Sequence, residues 1–150
     1  MKWYKHSRAF AWPLLIVVGL AMLQACQPAG SPEALIEAQI KRIQAGIENK
    51  SPDDVLDPIH DEFGTAKGQD KKWLKRTMAF YMIRHEKITI VISGLDITLN
   101  SQDSARATFN VVSAGGESLI PQQAGLYKMD TDWRLENGDW QLVYAAWSHN

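Results

Sequence analysis

The dipeptide Asn137-Gly138, set between two alternating runs, constrains this chain more than any other feature. Both central residues of a type I′ turn need φ > 0, and Asn-Gly supplies them, so the sequence predicts a two-residue hairpin here. Glu136 then faces Asp139, and the register runs outward through Leu135–Trp140, Trp133–Leu142, Thr131–Tyr144 and Met129–Ala146. Side chains alternate along a strand, so these four pairs share one face. That face is predicted to be a core wall, with Trp133, Trp140 and Tyr144 on it. The opposite face carries Asp130, Asp132, Arg134 and Gln141, but also Val143, Ala145 and Trp147. Three apolar residues on an outer sheet face, Val143, Ala145 and Trp147, predict a second contact.

The start of the chain reads differently. Lys2, Lys5 and Arg8 come with no acid, and residues 9–23 form an apolar run broken only by Pro13 and Gly19. That run falls short of the about 20 residues a spanning helix needs, and it reads as an export signal. Leu23-Gln24-Ala25-Cys26 follows. The four residues resemble the lipobox of bacterial lipoproteins, which implies cleavage before Cys26 and acylation of its thiol. Cys26 is the single cysteine of the chain, so an intramolecular disulfide is excluded. The other reading is an ordinary signal peptide with an incidental cysteine. In the lipoprotein resemblance, more than one acyl chain anchors the protein stably. Gln27 rather than Asp after the cysteine then implies sorting to the outer membrane, facing the periplasm.

Three segments follow from this: a signal over residues 1–25, a lipidated cysteine with a short tether over 26–31, and a domain over 32–150. Gln27 to Ser31 spans at most about 18 Å, which keeps the domain close to the bilayer. Removing residues 1–25 from the 150 takes away three basic groups and no acidic one, leaving 13 basic against 17 acidic. An acidic domain of this kind is a poor nucleic-acid binder, whose affinity rests on neutralised phosphates. It is long enough to bury roughly two-thirds of its unfolded surface.

Ser31-Pro32-Glu33 is a helix start, with a serine N-cap, proline in the first turn and an acid behind it. Ile36, Ile40, Ile43 and Ile47 give one apolar stripe, and the spacing predicts a helix over Pro32–Lys50. Ser51-Pro52-Asp53 starts a second, shorter helix with Val55, Leu56, Ile59 and Phe63 on its apolar side. Pro58 interrupts it, with Asp57 as a second cap. Asp70 caps a third helix to about His85, with Trp73, Leu74, Met78, Tyr81 and Met82 as its apolar positions. Lys71, Lys72, Lys75 and Arg76 lie toward its outer start, either as a solvated face or as a contact with anionic headgroups. From Lys87 the period is two. Ile88, Ile90 and Ile92 share a face, then Leu95, Ile97 and Leu99 do, so parity slips at Ser93-Gly94 and a bulge is expected. Asn100–Ser104 is a turn, Ala105, Ala107, Phe109 and Val111 resume the alternation, and Ser113–Pro121 is a loop.

Three helices, a bent antiparallel sheet and a closing Gly138-Asp139-Trp140-Gln141-Leu142-Val143 strand resemble the nuclear transport factor 2-like (SnoaL-like) superfamily. The run Trp133–Trp140 and the closing Ala146-Trp147 are more narrowly similar to small proteobacterial lipoproteins of that fold. The resemblance implies an α+β cone, with N-terminal helices packed on a curved antiparallel sheet around a pocket, and a homodimer through the outer sheet face at Val143, Ala145 and Trp147. It leaves activity open, because the superfamily holds isomerases and dehydratases as well as members without catalysis.

Enzymes of this fold place acids, bases or polar pairs inside the cone, where burial tunes them. Here the first helix turns only isoleucines inward, and Asp96, Asp130 and Asp132 alternate outward, so no carboxylate is expected inside. His60 has Asp57, Asp61 and Glu62 nearby, but the spacing matches no ligand set, and the reading favoured is a surface helix end. His85 is expected to sit favourably at a helix C-terminus. His60, Tyr81 and His85 remain the catalytic candidates, and neither a metal nor a cofactor is expected. Trp73, Tyr81, Trp133, Trp140 and Tyr144 either wall a pocket for an apolar small molecule or fill the core. The sequence therefore supports a membrane-anchored, non-catalytic binding module of the envelope. The alternative is a small-molecule enzyme of the isomerase or dehydratase kind.

Overall fold

The computed structural model describes residues 30–115 and 125–149. The proposed signal, Cys26 and most of its tether lie outside them, as does most of the loop expected over Ser113–Pro121. Three helices come first: α1 (Pro32–Glu48), α2 (Pro52–Leu56) and, after strand β1 (Ile59–Thr65), α3 (Lys71–Arg84). Strands β2 (Ile88–Leu99), β3 (Ser104–Gly115), β4 (Gly125–Glu136) and β5 (Asp139–His149) complete one sheet of order β1-β5-β4-β3-β2. No helix among the described residues is long and apolar enough to cross a membrane.

Local chemistry sets the helix ends. The Ser31 hydroxyl accepts from Ala34 N–H at 3.3 Å, and the Asp70 carboxylate accepts from Trp73 N–H at 2.7 Å, each occupying a donor the helix leaves free. The first helix ends two residues before the expected Lys50. Lys50 takes φ +56°, and the N–H groups of Lys50 and Ser51 return to the carbonyls of Ile47 and Gly46 at 3.3 and 2.8 Å. This is a Schellman closure with lysine where glycine is usual.

The second helix is shorter than expected, and its continuation is a strand. Beyond Pro58 the chain extends, and Ile59, Gly64 and Thr65 pair in parallel with Leu142, Tyr144 and Ala145 of β5. Ile59 and Phe63 are both buried, as the sequence indicates. A separation of four residues puts two side chains on one face in a helix and in a strand alike, so their spacing could not choose between them.

Curvature comes from two bulges. In β2, Ser93 pairs with Asn110 and Asp96 with Thr108, leaving one extra residue, with Gly94 at φ +63°. This is the parity slip expected at Ser93-Gly94. The second bulge lies in the closing hairpin. Its turn forms as expected, with Asn137 at φ +53° and Gly138 at φ +92°, and Leu135–Trp140 and Trp133–Leu142 pair in the expected register. The next pair is Asp132–Tyr144, so Val143 is an extra residue. Beyond it Thr131 faces Ala145 rather than Tyr144, and Met129 faces Trp147 rather than Ala146.

That slip reverses the facing of the end of the chain. Tyr144 turns outward and is 37% exposed, so it is not part of the core wall. Ala145 turns inward and is buried in the main core. Trp147 is half-buried, with the Lys67 ammonium 5.9 Å from its ring centroid. Val143, Ala145 and Trp147 therefore do not make one outer face. The acids and Arg134 keep their expected outward side, where Arg106 pairs with Asp132 at 2.9 Å and Arg134 with Glu62 at 3.0 Å.

α1 lies across the concave side of the sheet. Ile36 and Ile40 pack with Trp133, Trp140, Ala105, Ala107 and Phe109 in the main core, while Met78 and Met82 of α3 join Val55, Ile88 and Ile90 in a second cluster. Ile43 borders both clusters. The helix also holds the sheet edge at β2. Gln44 Nε2 donates to the Ile90 carbonyl at 2.8 Å, and the Ile90 N–H donates to Glu48 Oε1 at 2.7 Å. Unpaired edge groups invite another strand, and these two side chains occupy them.

Candidate functional site

Between α1 and the concave sheet the packing is incomplete, leaving a cavity of about 190 Å³. Ile40, Ile43 and Ile47 of α1 form one wall, and Ile90 and Ile92 of β2 another. The floor is Phe109, Val111, Met129 and Trp133, closed by Leu142 and Ala145. The isoleucine stripe makes the first wall at helical spacing. The two bulges make the others, since one aims Ile90 and Ile92 inward and the other brings in Ala145 where the hairpin's simple register would not.

Two polar side chains reach the lining, Gln44 and Thr131. Both are committed. Gln44 Nε2 is bound to Ile90 O, and the Thr131 hydroxyl donates to the Ala107 carbonyl at 2.8 Å while accepting from Trp133 Nε1 at 3.0 Å. The Thr131 hydroxyl is thus bonded to protein as donor and acceptor, and Gln44 gives one of its N–H groups to the backbone. Among the described residues no carboxylate or histidine lines this cavity. An apolar cavity of about 150 Å³ stays dry and accepts benzene or xenon. This one is suited in size to a single ring or a short alkyl segment.

Of the aromatic residues named from the sequence, Trp133 lines the cavity and is 1% exposed, whereas Trp140 is buried in the core beside it. Trp73 is half-buried on α3, and Tyr81 belongs to the second cluster with its ring 4.3 Å from that of His85. Neither reaches the cavity. Phe109, Val111, Met129 and Ala145 were not singled out as pocket residues. Alternation marked Phe109, Val111 and Met129 as inward and Ala145 as outward, and only the curvature and the Val143 bulge show that the four surround a space.

His60 is not a surface helix end. It lies in β1, is 9% exposed, and its Nε2 is 2.7 Å from Glu136 Oε2, a carboxylate outside the group of neighbouring acids considered from the sequence. The Glu62 N–H donates to His60 Nδ1 at 3.0 Å, so Nδ1 carries no proton and Nε2 donates to Glu136. Both ring nitrogens are thus occupied. The surrounding groups are ion-paired, Glu62 with Arg134 and Asp61 with Lys71 at 2.9 Å. The Lys71 ammonium holds the exposed Asp61 carboxyl below its ordinary range. Of the three catalytic candidates, Tyr81 and His85 touch ring to ring at the end of α3 while His60 bonds Glu136 instead, and none of the three lines the cavity.

No family model matches the sequence, and no curated protein does. Solved structures do match. A protein of unknown function from Pseudomonas putida KT2440, described as NTF2-like, aligns at a TM-score of 0.66 and 18% identity over 77% of this chain and 84% of that one. The chain has the nuclear transport factor 2-like fold. A protein of unknown function with a cystatin-like fold from Nostoc punctiforme aligns at a TM-score of 0.65 and 15% identity, covering 79% of this chain and 90% of its own. A hexachlorocyclohexane dehydrochlorinase from Novosphingobium barchaimii aligns at 0.64 and 13% identity over 78% of this chain and 85% of that one. At these identities the likeness carries the architecture, an α+β cone with helices on a curved sheet, and leaves the chemistry to the site.

Proposed function

We propose that this chain is a lipid-anchored envelope protein whose cone holds a compact apolar molecule without transforming it. The observation that carries the reading is the cavity, lined by apolar side chains except Gln44 and Thr131, with the Thr131 hydroxyl spent on protein partners and Gln44 bonded to the backbone. Acid–base catalysis needs a titratable group within hydrogen-bond reach of the reacting atoms. The lining described above offers none, which favours binding over the isomerase-like or dehydratase-like alternative.

Toluene tests the cavity. The soluble domain from Gln27 contains every core residue described above and should gain stability with toluene by mass action, about 1.4 kcal/mol at tenfold the Kd. That is a rise of several degrees in Tm for a domain of this size. Val111→Trp, which fills the space from β3, should unfold cooperatively yet show no such rise. An unchanged wild-type Tm at toluene saturation would defeat the proposal.

The anchoring half rests on Leu23-Gln24-Ala25-Cys26 after a short apolar run. Metabolic labelling with an alkyne fatty acid should mark the wild-type protein, and Cys26→Ala should abolish the label and leave the precursor uncleaved. Equal labelling of that variant would put the acyl group elsewhere.

A further inference from the structure

The outer side of α3 combines two features that rarely share a soluble surface. Phe80 is 61% exposed and Ile83 85% exposed, the most exposed large apolar residues described. Lys72, Arg76, Phe80 and Ile83 follow one another at helical spacings of four, four and three, so they form a single line along the helix. Met78 and Met82 occupy the opposite, buried side. Arg84 closes the line, its guanidinium 5.1 Å from the Phe80 ring centroid.

The charge of this helix is opposite to that of the rest of the domain. Lys71–Arg84 contains five basic residues and no acid, while beyond Cys26 the remaining sequence holds eight basic against 17 acidic. Lys71 is tied to Asp61 and the Ile59 carbonyl. Among the described residues, no acid lies within ion-pair distance of Lys72, Lys75, Arg76 or Arg84. A solvated surface accounts for cations alone. It does not account for a phenylalanine and an isoleucine standing out among them.

We propose that the Lys72–Arg84 face of α3 docks on an anionic phospholipid surface, with Phe80 and Ile83 entering the headgroup–acyl boundary and Lys72, Lys75, Arg76 and Arg84 on lipid phosphates. Cations of this kind are attracted to an anionic leaflet, and their attraction fades within a Debye length. Apolar side chains beside them add burial that a neutral aqueous surface cannot. The docked orientation turns α3 to the bilayer and leaves the acidic outer sheet face, with Asp130 and Asp132, on another side of the molecule. Because Met78 and Met82 pack with Ile43, Ile47 and Ile90, which also line the cavity, the cavity then lies about one helix diameter from the lipid.

The test uses the full chain reconstituted in vesicles, with an environment-sensitive dye on Ile83→Cys and intact mass counting the dyes attached. One dye means Cys26 is blocked, and two dyes mean it is free. In the second case Cys26→Ser is added so that the signal still comes from position 83. In vesicles of equal parts phosphatidylglycerol and phosphatidylcholine, the dye should shift blue and be quenched by bromine-labelled acyl chains. Lys72→Glu with Arg76→Glu should reduce that quenching by about tenfold or more, given what each cation near such a surface contributes. Docking should also weaken at molar salt. A dye at Gln102, in the exposed β2–β3 turn, should stay in water throughout. Three outcomes overturn the proposal: position 83 stays water-exposed on phosphatidylglycerol, it is quenched equally on phosphatidylcholine alone, or it is already buried without lipid. The last would mean a protein covers this face.

Discussion

Trp133→Ala is expected to cost the domain about 3–5 kcal/mol, the range for deleting a large buried aromatic. Three terms act together at this position. The indole is almost wholly buried between α1 and the sheet, so its transfer free energy is lost in full. Its Nε1–H satisfies the Thr131 hydroxyl, which loses a partner in a buried site. The vacated volume also adjoins an existing void of about 190 Å³, so the walls have little to collapse onto. Urea unfolding measures the loss as a lower midpoint at unchanged slope. Trp133→Phe should fall well short of it, since most of the ring volume stays. A cost under about 1 kcal/mol for Trp133→Ala would mean the cone collapses onto the emptied space instead of keeping it.

Gly46→Leu should be nearly as damaging for the opposite reason. Gly46 is the contact between α1 and α2, and a Cβ there would stand 2.8 Å from Val55 Cγ2, 2.9 Å from Asp54 Cβ and 3.0 Å from the Val55 backbone nitrogen. In an isolated helix, replacing glycine gains up to about 1 kcal/mol. Here overpacking costs about 1–3 kcal/mol, and the clash includes backbone that cannot rotate away, so crowding wins. Gly46→Ala should destabilise modestly and Gly46→Leu by about 3 kcal/mol, with α2 displaced. Thermal unfolding of the two variants against wild type reads this directly. A stabilised Gly46→Ala would show that α2 moves freely and that helix propensity decides.

The parts of the fold that were legible in the sequence are those governed by short-range rules. Asn137-Gly138 fixes a turn, Ser31 and Asp70 cap helices, four isoleucines draw the α1 face, and Gly94 marks a bulge by breaking parity. What escaped was decided by neighbours far along the chain. Val143 bulges without glycine or any other local mark, and that one residue reversed the facing of Tyr144, Ala145 and Trp147. Ile59 and Phe63 were ambiguous until β5 was placed beside them. Lys50 adopts a conformation that the sequence would have given to glycine. The candidate site follows the same division. Apart from Ala145, its apolar lining residues were recognisable as inward-facing, but whether they touch or leave space depends on summed volumes and sheet curvature. The His60–Glu136 bond joins residues 76 positions apart, beyond the reach of any spacing rule.

The position of β5 has a consequence for how the chain is made. It runs between β4 and β1, so β1, formed from an early stretch, finds its sheet neighbour only in the last strand. Until residues 139–149 are present, β1 has nowhere to pair and α1 has an incomplete surface to cover. β1 therefore joins the sheet only once β5 is in place. Pairing across so long a stretch costs loop-closure entropy before the contact rewards it, so closing the sheet at β1 is expected to be a slow step of folding.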